Sequence, residues 1–188
     1  MYITTQILNE VECKQLQSIV GQHWHDISAP GLVEDSLCWE NVRIETASTA
    51  IQLSLELTTI NIAGVPDDYP CLHVAMAGPK SESAIRKGRI YFQGKDELIH
   101  EVWVRREKFQ NFKNGELFFE NEADISVAFR LETFWTSFTR AAHFSDTFNI
   151  QRTASLEDIE IPDILEEWEA DLMDQYECSG EWIRVGGV

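Results

Sequence analysis

Basic residues are scarce in this chain. Fifteen Lys and Arg stand against 32 Asp and Glu, a formal net charge of −17 over 188 residues. Such a chain repels polyanions, so non-specific binding to nucleic acid or to an anionic lipid surface is not expected. Cysteine is scarce too. The four, at positions 13, 38, 71 and 178, form no CxxC pair and suit small buried hydrophobes in a reducing compartment better than a disulfide framework or a zinc knuckle. Long hydrophobic runs are missing altogether, and no segment approaches the roughly 20 apolar residues that cross a bilayer. The start, Met1-Tyr2-Ile3-Thr4-Thr5, lacks the basic and apolar stretches of a signal peptide. A cytoplasmic protein with no membrane contact is expected.

Motifs that announce chemistry are also missing. There is no Gly-x-Ser-x-Gly elbow, no phosphate-cradling glycine loop and no HExxH pair. Carboxylates are so abundant that no acid and base pair stands out. Pro66-Asp67 and Pro162-Asp163 are not followed by the acid-x-Lys triplet of a metal-dependent nuclease. His23-Trp24-His25-Asp26 is the one dense run of metal-capable groups. On a strand its two histidines share a face and need a third ligand; at a helix end they diverge by about 200°. The plainer reading is a helix-terminal His beside an anchoring Trp. No catalytic residue, metal or cofactor is therefore expected.

Against these absences, 44% hydrophobic and 11% aromatic residues supply enough material for one compact core. Residues 1–188 read as a single α+β domain, with the acidic segment 153–188 as a peripheral part. Asn9 followed by Glu12 has the form of a capping box, with Leu8 placed to staple onto the first turn, and opens a helix from Glu10 to His23. From Asn41 the period changes to two. Val42 to Ile44, Ile51 to Ile62, Tyr69 to Ala77, Ile85 to Gln93, Glu97 to Arg106 and Leu117 to Phe119 make an antiparallel meander of six strands. The alternation slips at Thr58-Thr59, where a bulge is the simplest account. Gly64 to Asp68, Gly94-Lys95-Asp96 and Lys113-Asn114-Gly115 read as turns.

The stretch from Asp124 to His143 fits two templates. Ile125, Val127, Phe129 and Leu131 alternate as a strand would. At about 3.6 residues per turn, Val127, Ala128, Leu131, Phe134, Trp135, Phe138, Ala141 and Ala142 share one side. Length favours the helix, spanning 122–143 and closing the sheet. Thr147 to Arg152 is a short strand. A second helix carries Ile161, Ile164, Leu165, Trp168, Leu172 and Tyr176 and ends near Cys178, and Trp182 to Val185 adds an edge strand.

Charge gives the functional reading. Eleven acids and no Lys or Arg fall between Thr153 and Ile183, leaving 21 acids against all 15 bases elsewhere. A non-enzymatic module is expected, engaging a basic protein partner through Asp163, Glu166, Glu167, Glu169, Asp171 and Asp174. Immunity or inhibitor proteins and small acidic chaperones share this profile of size and charge. The basic groups Arg86, Lys87, Arg89, Arg105, Arg106 and Lys108 are expected to pair with the acidic segment inside the molecule rather than bind phosphate. The alternative function is a small-molecule or enzymatic site, an apolar pocket between sheet and long helix lined by Trp103, Phe134, Trp135 and Phe138.

Overall fold

The computed structural model describes residues 1–29, 37–39, 41–78, 96–163 and 175–188. With 65% of the described residues in strands and 5% helical, the α+β expectation fails. Two sheets replace it. The larger holds β1 (Tyr2–Gln6), β3 (Leu37–Trp39), β7 (Glu101–Lys113), β8 (Glu116–Arg130), β9 (Trp135–Arg140), β10 (Thr147–Thr153) and β11 (Gln175–Gly187). Its order is β11-β7-β8-β9-β10-β3, antiparallel throughout, with β1 laid parallel on β8. The smaller sheet is antiparallel in the order β2 (Trp24–Ser28), β4 (Asn41–Thr46), β5 (Ala50–Ile62), β6 (Val65–Met76).

The long helix over 122–143 does not exist. Its first half is the end of β8; a tight turn closed by Leu131 N–H donating to the Phe134 carbonyl at 2.9 Å leads into β9. A helix here would turn Ser126, Thr136, Ser137, Thr139 and Arg140 away from that apolar side, yet all five are buried. A strand covered on both faces buries its polar side chains too; Ser126 and Thr139 pair their hydroxyls at 2.7 Å, while the Ser137 hydroxyl has no hydrogen-bond partner among the described residues. The Thr, Phe and Trp content of 133–139 is strand-forming, and that preference outweighed the 3.6-residue stripe.

The one helix among the described residues, α1 (Glu10–Gln17), is shorter than the Glu10 to His23 expectation, but its start is as read. Asn9 Oδ1 accepts from Val11 and Glu12 N–H at 2.9 and 3.1 Å, and Glu12 Oε2 accepts from Asn9 N–H at 2.8 Å. The acidic C-terminal helix is corrected at its end, since Gln175 to Cys178 belong to β11, which runs on through Trp182 to Gly187. Residues 164–174 and the strand read at Ile85 to Gln93 lie outside the described residues.

Nor is there a bulge at Thr58-Thr59. β5 and β6 pair from Ile51 with Met76 to Ile62 with Val65 without a shift. The phase slips because the buried face changes along the arm. Ile51, Leu53 and Leu55, with Leu72 and Val74, join the main core, whereas Ile62, Tyr69 and Cys71 join a second core with Phe109, Phe119 and Ala123. The turn is Ala63-Gly64, one residue earlier than read, with φ of 53° and 96°. Asn114-Gly115 closes β7 to β8 in the same way, with φ of 54° and 78°. Both are two-residue turns with two positive φ values, which match the twist of a hairpin. Pro66 sits on β6, the last strand of its sheet among the described residues, where a missing N–H is tolerated.

The main core lies where the two sheets and α1 meet. Trp24 stacks on Phe138 (6.4 Å, 15°) and meets the Phe129 ring edge-on at 5.4 Å, among Ile44, Leu53, Val104 and Val127. Each such side chain contributes about 1.5–3 kcal/mol by leaving water.

Candidate functional site

Burial of both faces of β8 and β9 leaves the outer side of the larger sheet to be covered, and the segment after β10 covers part of it. Gln151 Nε2 donates to the Glu160 carbonyl (2.7 Å), and Glu160 N–H donates to Gln151 Oε1 (2.8 Å). Asp158 Oδ2 accepts from Ser155 N–H and Oγ at 3.2 and 2.9 Å. Held this way, Leu156 and Ile159 pack onto Ala128 with Trp103, Trp135 and Trp182 around them.

Between this segment and the turn that joins β8 to β9 a crevice of about 340 Å³ remains. Trp103, Arg130, Leu131, Glu132, Thr133, Phe134, Trp135 and residues 154–157 line it. Trp103 and Trp135 meet edge to face at 6.5 Å. The Arg152 guanidinium lies 3.4 Å over the Phe134 ring. Glu101 accepts from Trp103 Nε1 and from Arg130 Nη1, each at 2.7 Å. Burial works against the Glu101 carboxylate, but those two hydrogen bonds and the charges of Arg184 and Arg130 prevail and hold its pKa below the usual glutamate value. Thr133 is tied by N–H and Oγ1 to the buried Glu97 at 3.2–3.3 Å, which fixes the rim. Of the four residues expected to line a pocket, Trp103, Phe134 and Trp135 come together here. Phe138 does not, being sealed in the main core. The packing helix that was to form the other wall is absent.

A second cluster was not legible in the sequence at all. Arg140 Nη1 donates to the Pro70 carbonyl at 3.1 Å, its guanidinium lies 4.8 Å from the Tyr69 ring centroid, and Nη2 is 3.3 Å from His143 Nδ1. Arginine only donates, so Nδ1 is the acceptor and the ring proton sits on Nε2. The His143 ring also meets Tyr69, Phe109 and Phe144 at 4.6–5.8 Å. Burial first, and the Arg140 charge second, push its pKa down to about 2. Burial raises the pKa of Glu107 nearby; Arg105 and Arg140 pull it back, and Asp163 adds to the rise. The crevice between Glu107, Arg140, His143 and Pro162 measures about 10 Å³, room for one water at most. This cluster therefore ties β6 of one sheet to the end of β9 in the other and has no space for a substrate.

His23 and His25 do lie along a strand edge rather than a helix end. Asp96 joins them, its carbonyl 2.8 Å from His23 Nδ1 and its Oδ1 3.2 Å from His25 Nε2. Among the described residues no three His, Cys, Asp or Glu groups are placed to hold a metal.

Of the acidic face, Asp163 is exposed, and Glu166, Glu167, Glu169, Asp171 and Asp174 lie outside the described residues. Of the basic groups, Arg86, Lys87 and Arg89 lie outside as well. Among the described residues the ion pairs of the others run within β7 and β8: Arg105 to Glu107 at 3.8 Å, Arg106 to Asp124 at 2.8 Å and Lys108 to Glu120 at 3.4 Å. Among the described residues no helix is long and apolar enough to cross a membrane. Comparison with family models, with curated proteins and with solved structures returned no match.

Proposed function

We propose that this β-protein is a non-enzymatic binding module for a basic protein partner, of the immunity, inhibitor or chaperone kind. The carrying observation is the charge of residues 153–183, eleven acids without a base. Two structural facts support it. Glu157, Asp158, Glu160, Asp163, Glu177 and Glu181, the acids of that segment within the described residues, are all exposed. Arg105, Arg106 and Lys108 of β7 pair with acids of β7 and β8. A cytoplasmic setting accompanies this reading, in keeping with four cysteines that are all free thiols.

Deleting the acidic segment is the wrong test, because β11 is hydrogen-bonded along the whole of β7. Charge neutralisation keeps the strand. The affinity of a fluorescent arginine-rich dodecapeptide is to be measured between about 50 and 500 mM salt, where screening of exposed charges rises steeply. Binding by the wild type should weaken with salt, and changing Asp163, Glu166, Glu167, Glu169, Asp171 and Asp174 to their amides should remove most of it. Absence of binding, or binding indifferent to salt, would overturn the proposal.

A further inference from the structure

The crevice beside Trp103 has the chemistry to hold one group of such a partner. Its floor is aromatic and aliphatic, formed by Trp103, Phe134, Trp135 and the buried Leu131 and Leu156. Two exposed carboxylates stand on its rims, Glu132 on the turn before β9 and Glu157 on the segment after β10. Neither makes an ion pair or side-chain hydrogen bond among the described residues, unlike Glu97 and Glu101 beside them. Arg130, the one cation among the described lining residues, is neutralised by Glu101 at 2.7 Å. The crevice therefore offers aromatic faces and, with two rim carboxylates against the single Arg152 guanidinium on Phe134, a net negative charge.

That combination selects a guanidinium. A planar cation stacks on indole and phenyl faces, and a forked donor answers carboxylates on either side. The molecule already shows the first half of this, since Arg152 lies on the Phe134 ring at 3.4 Å. A volume of about 340 Å³ is at the small end of ligand sites and takes a side chain more readily than a larger molecule. A neutral or anionic occupant would leave Glu132 and Glu157 unanswered in a chain of net charge −17.

We infer that the crevice lined by Trp103, Phe134, Trp135, Glu132 and Glu157 is the seat of an arginine side chain presented by the basic partner, the anchoring contact of that interface. This rests on the binding function proposed above and adds a location to it. Arginine is among the residues that dominate interface energies, and a preformed aromatic recess is where such an anchor gains most.

The test uses the full chain and the same arginine-rich dodecapeptide, with its all-lysine counterpart as a second probe. Glu132→Gln with Glu157→Gln removes the two rim charges. Glu177→Gln with Glu181→Gln makes the same change of net charge on β11. The crevice pair should weaken the arginine peptide about fivefold more than the β11 pair does, with the lysine peptide bound less tightly by the wild type. The indole N–H resonances of Trp103 and Trp135, assigned by Trp→Phe variants, should shift on titration. If both pairs weaken binding equally and those resonances stay still, the crevice is not the seat, while the acidic-module reading survives. If the wild type binds neither peptide, both proposals fall. If the resonances respond instead to a neutral small molecule with no response to arginine, the arginine seat falls alone.

Discussion

Arg106 grips Asp124 with two hydrogen bonds, Nε to Oδ1 at 2.8 Å and Nη2 to Oδ2 at 3.1 Å, at the point where β8 exchanges one neighbour for another. Residues Phe119 to Ala123 pair with β1 and Ser126 to Arg130 pair with β9, on the same edge of the strand. Opposite that change β7 steps from Arg105 with Ser126 to Arg106 with Asp124, leaving Ile125 as the extra residue of a bulge. The Leu8 N–H, just past β1, donates to the same carboxylate at 2.8 Å. Asp124 thus satisfies the groups exposed where the ladder changes hands.

Asp124→Ala is accordingly expected to destabilise the protein by about 2–4 kcal/mol. Breaking a buried ion pair costs ~3–5 kcal/mol, but Arg106 is a quarter exposed and rehydrates in part, while the Leu8 N–H is left without its acceptor. Urea denaturation measures it. A loss under about 1 kcal/mol would mean that the bulge is held by packing alone.

His143 makes stability depend on pH. Its folded pKa, about 2, lies far below the unfolded value near 6.5, so below pH 6.5 the unfolded chain binds a proton that the native chain does not. Stability therefore falls as pH drops through that window, by roughly 2 kcal/mol at pH 5 from this group. Glu107 acts in the opposite sense. Its folded pKa is raised, so its contribution is present below the unfolded carboxylate pKa and is lost as pH rises through the folded value. His143→Gln, which keeps an acceptor for Arg140, should flatten the slope of unfolding free energy between pH 6.5 and 5. An unchanged slope would show that other groups carry it.

What the sequence made legible was local. The capping box needs residues three apart, and the Asn114-Gly115 turn needs two, so both could be read directly. The period-two stretches over 42–44, 51–57 and 69–76 are likewise strands. The stretch 124–143 failed because its apolar residues satisfy both periods and the deciding facts are distant. β9 is buried on both sides by strands and segments far along the chain, which makes Thr136, Ser137 and Thr139 interior rather than the polar face of a helix. The Tyr69, Glu107, Arg140 and His143 cluster gave no signal for the same reason, because only the packing of one sheet on the other brings its members together. Trp103, Phe134 and Trp135 were grouped in the sequence as an apolar set. They do meet, but across a turn and a covering segment rather than against a helix.

Tyr69 and Arg140 should respond very differently to substitution. The Tyr69 hydroxyl is buried and faces Arg140 and Asn121 without a well-formed hydrogen bond, and burial raises its pKa against the pull of those two neighbours. Tyr69→Phe removes a polar group that gains little, so a change within about 0.5 kcal/mol is expected. Arg140→Met removes the donors to Pro70 and His143 and the charge over the Tyr69 ring, and should cost about 2–3 kcal/mol. Thermal unfolding of both variants gives the comparison. Equal costs would place the hydroxyl inside the network after all.

Glu12 does more than cap its own helix. Its Oε2 accepts from Asn9 N–H, while Oε1 lies 2.9 Å from His73 Nδ1 and 3.3 Å from Val74 N, so one carboxylate joins α1 to β6. Asn9→Ala breaks only the cap and should cost about 1 kcal/mol. Glu12→Ala strips the partner from Asn9 N–H, the Val74 N–H and the His73 ring together, and should cost about 2–3 kcal/mol. Glu12→Gln retains an oxygen for one side of the bridge and should fall between them. Chemical denaturation of the three variants orders these costs. If Asn9→Ala proved as damaging as Glu12→Ala, the helix start rather than the tie to β6 would be what Glu12 secures.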